Sequence, residues 1–449
     1  MARWKWIAIA IVAIFPAGCA PVRHSLECPP LRSAEANVGD KLDIEIFVDG
    51  TPSMEGFVTT TTDNSYIRML QAIDSVLATS PPHPNPAIAY YRLGNFTRET
   101  EAESETAFFD KIDRDNYLKA QQPEFYRGGA GQFPALEVAQ IETAMESEKE
   151  GDRLAIIITD LYQKDADITN ISRTIKEHHF DTSDKDYAIG ILGIRSEFDG
   201  FVYDVGIDNT SFAWSGQHPF YVIFLGSYAD VADTMAKLFE EVPNLQEEGR
   251  SVVFSPHRLV TDPAYLTETP LPDGLDRPVV LDNRRAIVEA ESEAIELLEI
   301  ADRAAEETFA IAYNIPISVA RFVPNIEDIE VRKAIEQFDE FDRDFKPVEG
   351  SSTIGDTLEL TGWELGSNAI EFTTNLNASQ LEPGLYYFII DAIATDLEEP
   401  SWWEEWSSEE DSQDGTKTHN LAKFLRQLKN MTLDAEPAIG RFCYAVQKN

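Results

Sequence analysis

The sequence predicts two architectures in series. Residues 41–245 read as a doubly wound α/β domain on a mostly parallel sheet, and 246–449 as a β-rich, sandwich-like second domain with a closing helix. Three observations carry this. The runs at 154–159, 187–194 and 220–225 are apolar at almost every position, and the run at 43–48 passes from alternation to apolar after Glu45, as strands covered on both faces require. Stretches with apolar residues at helical spacing lie between them, which is the rhythm of a parallel sheet. After Arg250 that rhythm stops, and strand-like runs at 250–260, 317–323, 357–365, 369–375 and 385–393 alternate with Pro, Gly and Asn.

The elements follow in order. Arg3 and Lys5 precede an apolar run at 6–15 that is too short to span a bilayer, the anatomy of a signal peptide over residues 1–18. The following Pro16-Ala17-Gly18-Cys19 resembles the bacterial lipobox, although Pro16 stands where that motif usually has Leu. The resemblance implies that Cys19 is lipidated and becomes the mature N-terminus. Simple secretion and an uncleaved anchor are the alternatives. Residues 19–40, with Pro21, Pro29 and Pro30, read as a tether. A helix is expected at 65–78, with Ile67, Leu70, Ile73 and Leu77 as its apolar stripe, then a short strand at 87–93 and a helical piece near 107–120. Gly128-Gly129-Ala130-Gly131 is a tight turn before an amphipathic helix at 133–147. Further helices are expected at 168–178, 231–242 and 418–431, with an irregular excursion at 198–217. The segment 286–308 fits either helix or short strands. His178-His179 reads as a charge feature at a helix C-terminus, and Trp402, Trp403 and Trp406 as buried in the second domain.

Composition excludes some functions. The chain has 449 residues, 43% of them hydrophobic, and a net charge of −42, so it folds and its surface is acidic. Such a surface repels nucleic acid, where each phosphate contact needs Lys or Arg, and anionic membranes, leaving a lipid anchor as the membrane contact. Cys28 and Cys443 remain after Cys19, and outside the cytosol they form either one disulfide or two free thiols. No H-E-x-x-H, G-x-S-x-G or P-loop pattern occurs. D-G-T at 49–51 invites comparison with haloacid-dehalogenase-type phosphatases, but Phe47 occupies the position of their nucleophile.

The candidate site starts at the end of the first strand, where Asp49 is followed by the hydroxyls of Thr51 and Ser53. Asp160 ends a second apolar strand. Ligands of open α/β sheets bind beyond the carboxyl ends of the strands, so neighbouring strands would bring these four side chains together. Oxygen ligands of this kind suit Mg²⁺ or Mn²⁺.

Asp49-Gly50-Thr51-Pro52-Ser53 resembles the D-x-[ST]-x-S loop of von Willebrand factor type A (vWA) domains, a Rossmann-type family whose loop forms a metal-ion-dependent adhesion site. Gly128-Gly129-Ala130 stands where the family has G-G-T, and Thr159-Asp160 where it has T-D after its fourth strand. The resemblance implies that Thr51 and Ser53 ligate the metal directly, that Asp49 and Asp160 act largely through water, and that a partner's carboxylate completes the octahedron. Ala130 departs from the pattern, removing one hydroxyl. The function implied is non-enzymatic: a lipoprotein of the cell envelope (outer membrane or periplasm in a Gram-negative cell) that binds an acidic side chain of a partner protein. A structural envelope component with a degenerate site and a metal-dependent hydrolase are the alternatives.

Overall fold

The computed structural model describes residues 21–30, 42–60, 63–99, 104–128, 133–146, 152–162, 168–180, 187–205, 210–255, 263–264, 266, 269–316, 322–348, 352–365, 369–408 and 413–449. The expected signal segment and Cys19 lie outside them. Among the described residues no helix is long and apolar enough to cross a membrane.

The N-terminal half is a seven-stranded sheet with helices on both faces. Its strands are β2 (Leu42–Asp49), β3 (Ala87–Glu99), β4 (Ser104–Ile112), β5 (Asp152–Thr159), β6 (Tyr187–Val205), β7 (Thr210–Ser227) and β8 (Arg250–Phe254), numbered after β1 (Val22–Leu26), in spatial order β4-β3-β2-β5-β7-β6-β8. One face, with Ile44, Ile46, Ile156 and Ile158, packs on the helices Ser65–Thr79 and Tyr228–Glu241. The other, with Phe47, Ile157, Ile191 and Ile223, packs on Thr169–Ile175 and on the C-terminal helix Leu421–Asp434.

Several expectations need correction. The sheet is mixed rather than mostly parallel, because only β2/β3 and β2/β5 run parallel. The stretch 198–217 is no excursion: it extends β6 and β7 into one long hairpin pairing Tyr187 with Ser227 and Val205 with Thr210. Its period-2 pattern, with Ser196 and Phe198 buried and Glu197 and Asp199 exposed, is that of a strand with one covered face. The helical piece near 107–120 is split: residues 107–112 belong to β4, hydrogen-bonded to β3, where aromatic side chains favour the pleat, whereas Arg114–Tyr117 and Leu118–Gln121 are helical as expected.

The helix expected over 133–147 is reduced to Ile141–Met145. Ahead of it the backbone is claimed by other partners. Val138 N–H donates to Asn95 Oδ1 (2.9 Å), Val138 O accepts from Asn95 N–H (2.9 Å), and Pro134 O accepts from Arg92 (2.6 Å). His179 is buried against Met145 O (2.7 Å), and burial lowers its pKa to about 4, so it is a neutral core residue and not a capping charge.

The boundary expected at residue 245 falls one strand short, since Arg250–Phe254 is the edge strand of the first sheet, paired with β6. Residues 256–260 and 317–321 lie outside the described residues, and Phe322 and Val323 are not in a strand.

The β-rich half stacks three sheets. A six-stranded sheet holds Gly384–Leu397 and Ala438–Lys448 at its centre. One of its faces, with Phe388, Ile390, Phe442 and Tyr444, packs on a three-stranded sheet of Thr308–Pro316, Leu358–Leu365 and Ala369–Asn377. Its other face, with Leu385, Tyr387 and Cys443, packs on β1, Leu281–Asp282 and Ala286–Ala290. The segment 286–308 therefore resolves mainly into strands.

The tether expected over 19–40 is corrected for residues 21–30, while 19–20 and 31–40 lie outside the described residues. Residues 22–26 pair in parallel with 286–290, and Cys28 is disulfide-bonded to Cys443 with Cα atoms 5.9 Å apart. The three tryptophans of 402–406 are buried, but against the first sheet together with the C-terminal helix.

Candidate metal centre

β2 and β5 are neighbours in register, Val48 opposite Ile158, so Asp49 and Asp160 emerge at the same edge of the sheet. Asp49 Oδ1 accepts from the Thr51 backbone N–H (3.0 Å) and from Thr51 Oγ1 (2.7 Å), and its Oδ2 accepts from Thr159 Oγ1 (2.9 Å). Ser53 hydrogen-bonds Asp160, whose Oδ1 also accepts from Tyr162 N–H at 2.9 Å. The Thr51 and Ser53 hydroxyl oxygens are 3.1 Å apart. All four sequence-derived residues thus converge on one spot. Ala130 lies outside the described residues.

The local sequence explains the placement. Pro52 opens a 3₁₀ turn over Pro52–Val58, with Thr51 as its extended N-cap, which points the Thr51 hydroxyl back at the strand end. After Asp160 the chain turns sharply: Leu161 has φ +61° and its N–H donates to Thr159 Oγ1 at 3.1 Å. A left-handed leucine costs about 1–2 kcal/mol, and the bonds to Thr159 and Asp160 hold it there.

The electrostatics are those of two carboxylates forced together. Burial, then repulsion from Asp160, pushes the Asp49 pKa up to about 7 against the opposing bonds from Thr51 and Thr159. Burial raises Asp160 also, against its bonds from Tyr162 and Ser53. Among the described residues neither carboxylate forms an ion pair with Lys or Arg. The site is closed: Asp49 and Thr51 are fully buried, and Asp160, the most open of the four, is 7% exposed.

The residue that the sequence reading missed is Arg92. It is wholly buried, and its guanidinium donates to Phe125 O (2.8 Å), Pro134 O (2.6 Å) and Gly50 O (3.1 Å) between the rings of Phe125 and Phe133. Burial lowers its pKa to about 10, so it stays charged. It ties the Gly50 carbonyl beside Asp49 to the segments on either side of the glycine turn. A Cβ at Gly50 would come within 2.5 Å of the Arg92 side chain, which explains the glycine. The only sequence signal was a single Arg inside an apolar strand. Glu55 and Arg127, paired at 2.6 Å, brace the same two segments from the surface.

The donor set suits a hard divalent cation. The Thr51 proton is committed to Asp49 and the Ser53 proton to Asp160, which leaves two hydroxyl oxygens facing each other with lone pairs free. Their 3.1 Å separation is close to the octahedral edge of about 2.9 Å set by Mg–O distances of about 2.0–2.1 Å. Among the described residues no group of three or more His, Cys, Asp or Glu side chains gathers, so a cation here would rest on two carboxylates and two hydroxyls. No family model, curated protein or solved structure matches the chain.

Proposed function

We propose that this chain is an envelope lipoprotein, non-enzymatic, whose vWA-like half holds Mg²⁺ or Mn²⁺ on Asp49, Thr51, Ser53 and Asp160 and uses it to bind an acidic side chain of a partner protein. The observation that carries this reading is the pairing of each hydroxyl with a different buried carboxylate while the two oxygens sit 3.1 Å apart. A cation there would offset the burial that raises both carboxylates and the repulsion from Asp160 that adds to it at Asp49. The Cys28–Cys443 disulfide supports an extracytoplasmic location.

The deciding experiment is calorimetric titration of Mg²⁺ and Mn²⁺ into the soluble part and into Asp49→Ala. Saturable heats in the parent and none in the variant are expected, and equal heats in both would sink the metal site. Where metal binds, capture of an envelope protein that chelator releases and metal restores is the expected mark of adhesion. The closure of the site favours a second reading, a structural envelope component with an inert site. That reading expects no saturable heat in the parent protein.

A further inference from the structure

The structure removes most of the spacer expected between the lipidated cysteine and the folded body. β1 begins at Val22, whose N–H donates to Arg285 O at 2.9 Å, and Cys28 then closes the disulfide. This inference rests on the lipoprotein part of the proposed function. Only three residue steps separate Cys19 from Val22, at most about 11 Å of extended chain. The end of the β-rich half where β1 starts is therefore held at the depth of the lipid headgroups.

Two turns stand at that end, beside the start of Gly384–Leu397 and the end of Ala438–Lys448. One joins Leu281–Asp282 to Ala286–Ala290 and exposes Arg284 and Arg285. The other joins Ile326–Asp339 to Asp344–Pro347 and carries Phe341 at its tip. An Arg285–Glu340 ion pair at 2.5 Å brings the turns together. His24 of β1 packs edge-on against Phe338 and Phe345 at 5.4 and 5.6 Å, at the base of the second turn. Phe341 is 94% exposed, and among the described residues no large hydrophobic side chain is more so. Residues 22–26, 282–285 and 339–346 together carry five basic and five acidic side chains. Those three segments are thus balanced in charge, although the whole chain carries −42.

We propose that the 340–343 turn, with Phe341 at its tip, seats in the bilayer that holds the Cys19 lipid, with Arg284 beside the lipid phosphates. An exposed ring at a turn tip gains apolar contact at the headgroup–acyl boundary, and a second contact beside an acyl anchor is what makes membrane attachment stable. The acyl chains supply affinity, and the turn fixes which end of the molecule faces the membrane.

The test uses the full chain, matured in a lipoprotein-processing host, with its native disulfide oxidised and its lipid mass verified. Phe341→Cys carries an environment-sensitive fluorophore on vesicles of phosphatidylethanolamine and phosphatidylglycerol containing a nitroxide lipid. Glu371→Cys is the control, because position 371 faces outward on the opposite outer sheet near its far end, six residues along the strand from Asn377. Blue-shifted emission and nitroxide quenching at 341 but not at 371 are expected. Solvent-like emission at both positions on protein of the correct lipid mass overturns the docking and leaves the anchor standing. Lack of the lipid mass overturns the anchor and the docking with it.

Discussion

Two residues set how the site responds to solution conditions. Asp49 keeps its proton up to about pH 7 in the folded state against an ordinary value of 3.8. In excess chelator the folded protein therefore binds more protons than the unfolded chain between those values, and its contribution to stability falls as pH rises through that window. Buried His179 and His218, both lowered to about 4 by burial, act with the opposite sign between about pH 4 and 6.5. The clean measurement is thus a difference between proteins. Asp49→Asn should be more stable than the parent at pH 8 in chelator, and should lose the rise in Tm that Mg²⁺ gives the parent. That rise corresponds to about 2.7 kcal/mol at a hundredfold excess over Kd. A variant that keeps the full Mg²⁺ response would remove Asp49 from the ligand set. Arg92→Met leaves three carbonyls without their donor, and is expected to cost at least about 1–3 kcal/mol in denaturant unfolding, the penalty for one buried group left unsatisfied, and to weaken Mg²⁺ binding through Gly50. Lys at the same position cannot reproduce the fork, so it should rescue little.

At the scale of elements, the long β6–β7 hairpin lies over the 3₁₀ turn that carries Ser53. Thr59 Oγ1 donates to Asp199 O at 2.7 Å, and a Cβ at Gly56 would stand 2.3 Å from the Phe198 ring. Gly56→Ala is expected to destabilise by about 1–3 kcal/mol, the usual result of overpacking, with the change read from the denaturant midpoint. A midpoint within error of the parent would show that the hairpin can lift away from the turn. This hairpin also marks the limit of what the sequence disclosed. Strands β2 and β5 were legible because an alternating-to-apolar run and an apolar run, each ending in Asp, have few other uses, and with them came Asp49, Thr51, Ser53 and Asp160. The antiparallel pairing of β6 with β7 was not legible, because an apolar strand buried on both faces reads alike in either direction. Arg92 and the lost helix at 134–140 were hidden for one reason: their hydrogen bonds go to partners about 40 residues away, which local periodicity does not encode.

At the scale of the molecule, the N-terminal and C-terminal segments are joined in one sheet stack. The Cys28–Cys443 bond spans 415 residues of sequence, and Tyr387 Oη donates to Glu27 O at 2.7 Å beside it. β1 itself is five residues long and has one strand neighbour, Ala286–Ala290. A short edge strand of this kind depends on what pins its end. Reduction, or Cys28→Ser with Cys443→Ser, should lower global stability by roughly 2–5 kcal/mol. It should also release β1 before anything else opens. Hydrogen exchange measured in native buffer separates the two effects: amide protection across residues 22–26 and 286–290 is expected to collapse on reduction, while β2 and β5 keep theirs. Equal loss across both halves would mean that the disulfide supports the whole fold, whereas unchanged protection at 22–26 would mean that the β1 pairing and its contacts with Phe338 and Phe345 hold the N-terminal segment unaided.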